Sequence, residues 1–524
     1  QGMPCVQIRG LVSRAASALS IAPTASQAGG RALPASVSTA KNASKSAGAA
    51  TLRSLLPRWN PVLFGDDTVR PGPGEKVLLL SGGERAFGWL QGALVDVQHS
   101  PIAPDASIEG IKATLAALSF DHLVWLAPDL CDDVPADVVA SQNAGVLTLF
   151  RIIKALTQLD YFEHELKITV ATCMTQLVDD ADAVQPHHAG VHGMIGSIAK
   201  EVPQWRFRLL DIESIDRLTA REVLALPWDE QGSGLAYRNS EWHRQEFAEV
   251  TRLPAPNPGY KHNGVYVVIG GAGGLGEVWT RYMVEHFDAN VIWIGRRPLD
   301  DRIEAKLDDI AVTGKRPHYV AADASDESAL ASAVRWIGER FARIDGVVHS
   351  ALVLQDQSVR GMDEAVFRQS LAAKVDVSVN LERVFRDHDL DFMLFFSSLS
   401  SFYRGAGQSN YSAGCTFKDS FAHSMRATHG YPVKTVNWGY WGSVGIVTDE
   451  FYRKRMETLG FGSIEPEEAM QALQQFVASD MEQLAFAKVL ADAVLDEMLV
   501  SEEIRYYADS EKFNESSSDV VTAS

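Results

Sequence analysis

Three residues far apart in the chain combine into a proton-transfer set: Lys374, Ser398 twenty-four residues on, and Tyr411 thirteen residues after that. A phenol with an ordinary pKa near 10 is a reluctant acid unless a nearby cation steadies the phenolate it leaves behind. Lys374 supplies that cation. Ser398 offers a hydroxyl that holds and polarises a carbonyl oxygen, Tyr411 protonates that oxygen, and a hydride delivered to the carbon completes a reduction. Taken singly, each has a plainer reading: Ser398 as a polar strand end, Lys374 on a solvated helix face, Tyr411 as a half-buried aromatic. The combination is what points to chemistry.

A hydride needs a donor, and the stretch Gly270-Gly271-Ala272-Gly273-Gly274-Leu275-Gly276 is built for one. It follows the apolar run Val265 to Ile269 and precedes a helical stretch through Trp279 and Met283. Glycines let the backbone turn tightly and approach a pyrophosphate, which the helix N-terminus then stabilises. Gly270, Gly271, Gly273, Gly274, Leu275 and Gly276 are therefore the candidate dinucleotide contacts. After the next strand an NAD site carries an acid for the ribose hydroxyl, whereas here Gly295 is followed by Arg296 and Arg297, two cations suited to a 2′-phosphate. NADPH is favoured over NADH, although the same pair also reads as solvated residues at a helix start. Asp323 and Ala324, closing the third strand, are expected beside the adenine, with Asp323 also readable as a helix N-cap. Ser350 and Ala351 are expected along the coenzyme, together with Lys374 and Tyr411.

The elements that must position these groups form two α/β halves. In the second, strands are expected at Val265 to Gly270, Asn290 to Gly295, His318 to Asp323, Asp345 to Ser350, Asp391 to Ser397 and Val433 to Trp438, with a seventh near Ala485 to Leu490. Helix-length segments separate them, which predicts a doubly wound parallel sheet in the order 3-2-1-4-5-6. In the first half, Lys76 to Ser81, His122 to Ala127 and Lys167 to Thr172 read as buried parallel strands, with a helix over Val139 to Leu159. Ser81-Gly82-Gly83-Glu84 follows the first of these strands, yet no phosphate cradle appears. The expected fold is α/β: two Rossmann-like subdomains, a truncated structural one over 51–258 without a cofactor site, and a catalytic one over 259–510 binding NADPH. The proline-rich crossing Pro254 to Gly259 marks the junction.

Composition narrows the partners. The formal charge is −19, which argues against nucleic acid and anionic membranes. Four cysteines (Cys5, Cys131, Cys173, Cys415) lack metal-ligand or disulfide spacing, so no metal is expected and a reducing cytoplasm fits. No apolar run is long enough for a membrane helix. Seven cations precede the first carboxylate, Asp66. The Ala- and Ser-rich stretch 13–50 has linker composition, which also fits a transit peptide, and the Ser-rich tail 511–524 is expected to be disordered.

Together, the glycine loop, the Arg-Arg pair, Phe396-Ser397-Ser398, Gly407-Gln408-Ser409-Asn410-Tyr411 and Asn437-Trp438-Gly439-Tyr440-Trp441-Gly442 resemble the ketoreductase domain of modular polyketide synthases, in the short-chain dehydrogenase/reductase superfamily. The first half resembles that family's structural subdomain through Arg53 to Pro61, Gly193 to Gly196, Glu201-Val202-Pro203 and Leu209-Leu210-Asp211. His349 to Asp356 and Tyr411 to Asp419 look like ketoreductases of bacterial assembly lines that use a separate acyltransferase. Cys5 to Gly10 looks like the tail of a dehydratase domain, so 1–12 is expected to be a remnant of a preceding domain.

The resemblance implies NADPH-dependent reduction of a β-ketoacyl thioester held by an acyl carrier protein, among neighbouring synthase domains. Tyr411, Ser398 and Lys374 match the family's catalytic residues. Four residues after the tyrosine the family usually has asparagine, and here stands Cys415, a weak donor and poor acceptor. The link from the active site toward Lys374 is then expected through water, a backbone group or Lys418. The family's Leu-Asp-Asp triplet marks B-type chemistry, giving a D-hydroxyl, and a tryptophan eight residues before the tyrosine marks A-type. Here the positions hold Leu354-Gln355-Asp356 and Tyr403, which favours B-type, with Asp356, Gln408 and Tyr403 as substrate contacts. A catalytically silent structural domain and a stand-alone dehydrogenase are the alternatives.

Overall fold

Short apolar runs bounded by glycine or polar residues become strands along most of the chain. The computed structural model describes residues 50–505 apart from 65–73, 82, 95, 131–136, 254–258, 446–449, 493, 496 and 497. The expected remnant 1–12, nearly all of the linker 13–50, the prolines of the junction and the tail 511–524 lie outside the described residues.

The first half contributes β1 (Thr51–Val62), β2 (Val77–Leu79), β3 (Val97–His99), β4 (His122–Leu126), β5 (Leu166–Cys173), β6 (Trp205–Ile212), β7 (Gly234–Arg238) and β8 (Glu241–Arg252). The second contributes β9 (Val265–Ile269), β10 (Asn290–Gly295), β11 (His318–Ala321), β12 (Gly346–His349), β13 (Phe392–Ser398), β14 (Val433–Trp438) and β15 (Gln483–Val489), followed by β16 (Val500–Arg505). The described strands form one sheet, β11-β10-β9-β12-β13-β14-β15-β1-β8-β7-β6-β5-β4-β2-β3, with β16 alongside β8. From β11 to β15 every pairing is parallel, in the order 3-2-1-4-5-6 with the seventh strand added. From β3 to β7 every pairing is parallel as well. The halves meet through antiparallel pairs: β7 with β8, β8 with β1, and β1 with β15.

β1 carries Pro57 and Pro61, which cannot donate to a ladder. Both fall in Leu55–Val62, the stretch that pairs with β8, while Thr51–Leu55 pairs with β15, so neither proline interrupts a strand bonded on both sides.

The expected helix over Val139 to Leu159 is broken instead. Val138–Gln142 and Thr148–Gln158 are separate helices around Gly145, whose backbone is non-helical. A Cβ at Gly145 would collide with the His188 ring, so the break packs against another element at a position where only glycine fits.

Apolar packing crosses between the halves. One buried cluster contains Phe150, Met194 and Ile195 from the first and Phe367, Ala413 and Phe417 from the second, with the Phe150 and Phe367 rings 4.6 Å apart. The Gly190–Glu201 helix lies against the Ser409–Arg426 helix so closely that a Cβ on Gly193 would strike the Ser412 carbonyl. Among the described residues no helix is long and apolar enough to cross a membrane, and no cluster of metal-binding side chains occurs.

Candidate active site

The carboxyl ends of β9 to β14 open onto a cavity of about 950 Å³. At one end lies the glycine loop. Gly270 adopts φ +80°, and a Cβ there would sit 2.9 Å from Ala351 Cα, so only glycine makes this turn against the end of β12. Gly276 passes within a would-be Cβ distance of 2.8 Å from the Gly270 oxygen, which seats the helix Gly274–Phe287 on the loop. No side chain caps that helix, and Gly273, Gly274 and Leu275 line the cavity, so its first N–H groups are available to an anion. Gly271 fits against the Trp293 ring, where a Cβ would clash.

Arg296 and Arg297 line the same end and are exposed. Arg297 reaches Asp300 at 3.6 Å, and no carboxylate among the described residues pairs with Arg296. Asp323 and Ala324 also line the cavity. The Asp323 carboxylate accepts the Ser325 N–H at 3.0 Å and its hydroxyl at 2.7 Å, while Asp326 caps the following helix. The N-cap reading of Asp323 is thus corrected: the cap is Asp326, three residues later. Ser350 and Ala351 follow β12 along the wall, with the Ser350 N–H bonded to the Ile269 carbonyl at 3.0 Å. A cradle without side chains, an uncapped helix end and exposed cations fit a dinucleotide.

The other end holds the proton-transfer set. Tyr411 and Cys415 stand one helical turn apart on the Ser409–Arg426 helix, Ser398 ends β13, and Lys374 precedes the Val375–Phe385 helix. Lys374 is buried at 2% exposure, which excludes the solvated-face reading. Its Nζ donates to the Tyr411 carbonyl at 3.1 Å and to Cys415 Sγ at 2.9 Å, and sits 3.4 Å from the centroid of the Tyr411 ring. Of the three expected routes to Lys374, the backbone carbonyl is present, the Cys415 thiol joins it directly, and Lys418 takes no part. Lys418 instead donates to the Phe396 carbonyl at 3.0 Å. Burial first, and the Lys374 charge second, bring the Lys418 ammonium down to about 7.

Burial and the Cys415 sulfur push the Tyr411 phenol well above its ordinary value, against a hydrogen bond from Ser398 that lowers it. The phenol therefore keeps its proton until something takes it. Ser398 is fixed from below: Asn437 Nδ2 donates to the Ser398 carbonyl at 3.1 Å and to Asp419 Oδ2 at 2.7 Å. Gln483 holds Asn437 Oδ1 at 2.9 Å. Asp356 and Gln408 face each other from two loops, joined by a 2.8 Å bond from Gln408 Nε2 to Asp356 Oδ2. Tyr403 is exposed at the cavity wall beneath Lys200 Nζ, 4.5 Å from its ring. Every candidate site residue of the sequence lies in or directly beside this cavity. Asp419, Asn437 and Gln483 were not foreseen as supports; Asp419, eight residues after Tyr411 on the same helix, was the visible signal. Tyr452, Arg455 and Met456 at the cavity's rim carried no motif.

A doubly wound parallel sheet with a glycine loop at its first strand and a Ser–Tyr–Lys set at its carboxyl end defines a Rossmann-type oxidoreductase fold. Residues 264–443 match the KR domain family, and this stretch of the chain is a KR domain, the ketoreductase domain of polyketide synthases. The chain is 41% identical over 509 residues to polyketide synthase PksN of Bacillus subtilis (strain 168), covering 96% of the chain and 9% of PksN. It is 38% identical over 454 residues to polyketide synthase PksM of the same organism, covering 86% of the chain and 11% of PksM. The chain thus spans about a tenth of the length of these curated relatives. A crystal structure of a ketoreductase domain from the bacillaene assembly line has the same fold, with a TM-score of 0.68 at 19% identity over 86% of this chain and 100% of that one.

Proposed function

We propose that this chain reduces a β-ketoacyl thioester to the β-hydroxyacyl thioester with NADPH, the substrate being presented on the phosphopantetheine arm of an acyl carrier protein within a polyketide synthase. The observation that carries this reading is one cavity lined at one end by the glycine loop, Arg296 and Arg297 and at the other by Lys374, Ser398, Tyr411 and Cys415. When bound, NADPH supplies a hydride to the ketone carbon. The N–H groups of the glycine loop hold the pyrophosphate, and the guanidinium forks of Arg296 and Arg297 take the 2′-phosphate.

The Ser398 hydroxyl donates to the ketone oxygen and fixes it within reach of Tyr411. As negative charge develops on that oxygen, the Tyr411 phenol gives up its proton to it. The Lys374 ammonium, against the ring and the Cys415 sulfur, stabilises the phenolate that remains. Cys415 thus adjoins both groups, its sulfur accepting the Lys374 hydrogen bond and bonding the Tyr411 phenol.

The retained Asp356, held by Gln408, supports B-type stereochemistry and a D-hydroxyl product. We assign 259–510 as the catalytic subdomain and 51–258 as the structural one, because the glycine loop and the proton-transfer set both lie in the former. An acidic chain is poorly suited to attract an acidic carrier by net charge, so docking uses a local basic or apolar patch, or relies on tethering and its effective concentration.

The test is NADPH oxidation with a β-ketoacyl thioester mimic, the product resolved by chiral chromatography. Tyr411→Phe is expected to lose about 10³-fold in kcat, the scale of a general acid, while its NADPH Kd stays within about twofold. Binding of NADPH without reduction of either the mimic or a carrier-bound substrate would replace this reading with a silent structural domain.

A further inference from the structure

We propose that Glu201, in the half without the glycine loop, is a positioning residue that ties together the two loops forming the substrate end of the cavity. The inference rests on the reductase reading above and names a determinant of the same site.

Glu201 ends the Gly190–Glu201 helix, and its two carboxylate oxygens serve different loops. Oε2 accepts the Val359 N–H at 2.8 Å, and Oε1 accepts the Gly407 N–H at 3.0 Å. The Ser358 hydroxyl bonds the same carboxylate. Val359 closes the loop that carries Asp356, and Gly407 adjoins Gln408, the partner of Asp356 across the cavity. Both loops lead to the proton donor: Gln408 precedes the first turn of the helix that bears Tyr411, and Asn410 Nδ2 of that turn donates to the Gln355 carbonyl at 3.0 Å.

Neighbouring side chains of the first half each hold one loop. Ser197 Oγ donates to the Gly405 carbonyl at 2.6 Å and accepts the Gln408 N–H at 3.2 Å. Lys154 donates to the Val359 and Arg360 carbonyls at 3.2 and 2.8 Å, and Lys200 donates to the Tyr403 carbonyl. Glu201 alone among them reaches both. Burial raises its carboxyl, and the bonds from Val359, Gly407 and Ser358 oppose that rise. The residue type follows from the partners. Two backbone donors require two acceptor oxygens, and a glutamine would set its NH2 group against one of the N–H groups. Glu201→Gln therefore keeps the size of the side chain and releases one tether.

The test compares wild type, Glu201→Gln and Glu201→Ala in the whole chain. Steady-state kinetics use the thioester mimic and NADPH, and hydrogen exchange without ligands covers segments 353–359 and 403–408. Glu201→Gln is expected to raise KM for the thioester about fivefold, to erode the stereochemical purity of the product, to speed exchange in at least one of the two segments, and to leave the NADPH Kd within about twofold. Wild-type KM, product purity and exchange in Glu201→Gln overturn the proposal, as does a change in melting temperature with no change in these readouts. Should Glu201→Ala fail to fold, Glu201→Gln decides alone. Should wild type reduce no thioester, the reductase reading fails, while the exchange rates still decide whether Glu201 ties the loops.

Discussion

Counted outward from the junction, β13 and the helix Ser409–Arg426 hold the same places in the second half that β5 and the helix Gly190–Glu201 hold in the first. At the end of β13, Ser398 and Tyr411 face a cavity. At the end of β5 the polar groups face one another. Thr172 Oγ1 bonds His192 Nε2 at 2.7 Å and Asp211 Oδ1 at 2.8 Å, and Arg238 Nη2 pairs with Asp211 Oδ2 at 2.6 Å. All four are buried, and burial brings the His192 imidazole down to about 4 despite the Asp211 charge. Two chemistry-bearing sets at equivalent ends of parallel sheets thus have opposite fates. One keeps a space in which a ligand completes the hydrogen bonds, and the other bonds mainly to itself and to the groups packed around it, with His192 Nδ1 left without a partner among the described residues. Topology supplies the location; what fills it decides between a site and a core.

The largest effect expected from breaking this contrast is in the first half. Arg238 donates to Asp211, Asp182 and three backbone carbonyls at 1% exposure. Replacing it with methionine leaves a buried carboxylate without its cation, a loss of about 3–5 kcal/mol in unfolding free energy. Denaturant titration measures the loss, and kcat per folded molecule should stay within about twofold of wild type, because the proton-transfer set lies elsewhere. An unchanged unfolding midpoint, or a kcat collapse in folded protein, would remove the distinction between a self-bonded network and a working one.

The second half was legible because its signals are local. The strand runs, the glycine loop after β9, the arginines after β10 and the Ser398–Tyr411 spacing each lie within one supersecondary unit, and each landed on the cavity. The missing signals are long-range. The helix break at Gly145 packs against His188, a residue of another element. Glu201 enters the sequence reading only within the Glu201-Val202-Pro203 resemblance and with no role, since its partners are backbone N–H groups 158 and 206 residues away, and an amide has no letter in a sequence. Cys415 was legible as a departure, but its direct contact with Lys374 follows from helix placement that spacing alone leaves open.

Coenzyme choice sharpens the contrast at smaller scale, because the cradle exists in one half only. Arg296→Ala and Arg297→Ala are each expected to weaken NADPH binding about tenfold, the scale of one charge-assisted hydrogen bond, and to leave NADH binding unchanged. Fluorescence titration with both coenzymes measures this. Equal weakening of NADH would return the pair to solvated residues at a helix start.

A pH dependence distinguishes a buried charge near the site from the paired charges of the first half. Among the described residues no carboxylate is bound to Lys418 Nζ, which donates to the Phe396 carbonyl, and burial brings its ammonium down to about 7 in the fold against 10.5 when unburied. Between those values the unfolded chain binds the proton that the folded chain has released, so unfolding free energy rises with pH from about 7 to about 10.5, and the penalty is fully present below 7. Urea midpoints at pH 7, 8 and 9 should climb in wild type and climb less in Lys418→Met. The Arg238–Asp211 pair supplies the control, since neither partner titrates in that window: the Asp211 carboxylate beside it raises the Arg238 guanidinium above its ordinary value, and Arg238 holds Asp211 below the usual carboxylate range. A slope that survives in Lys418→Met would assign the titration to another group and leave the lysine as a permanent cation beneath β13.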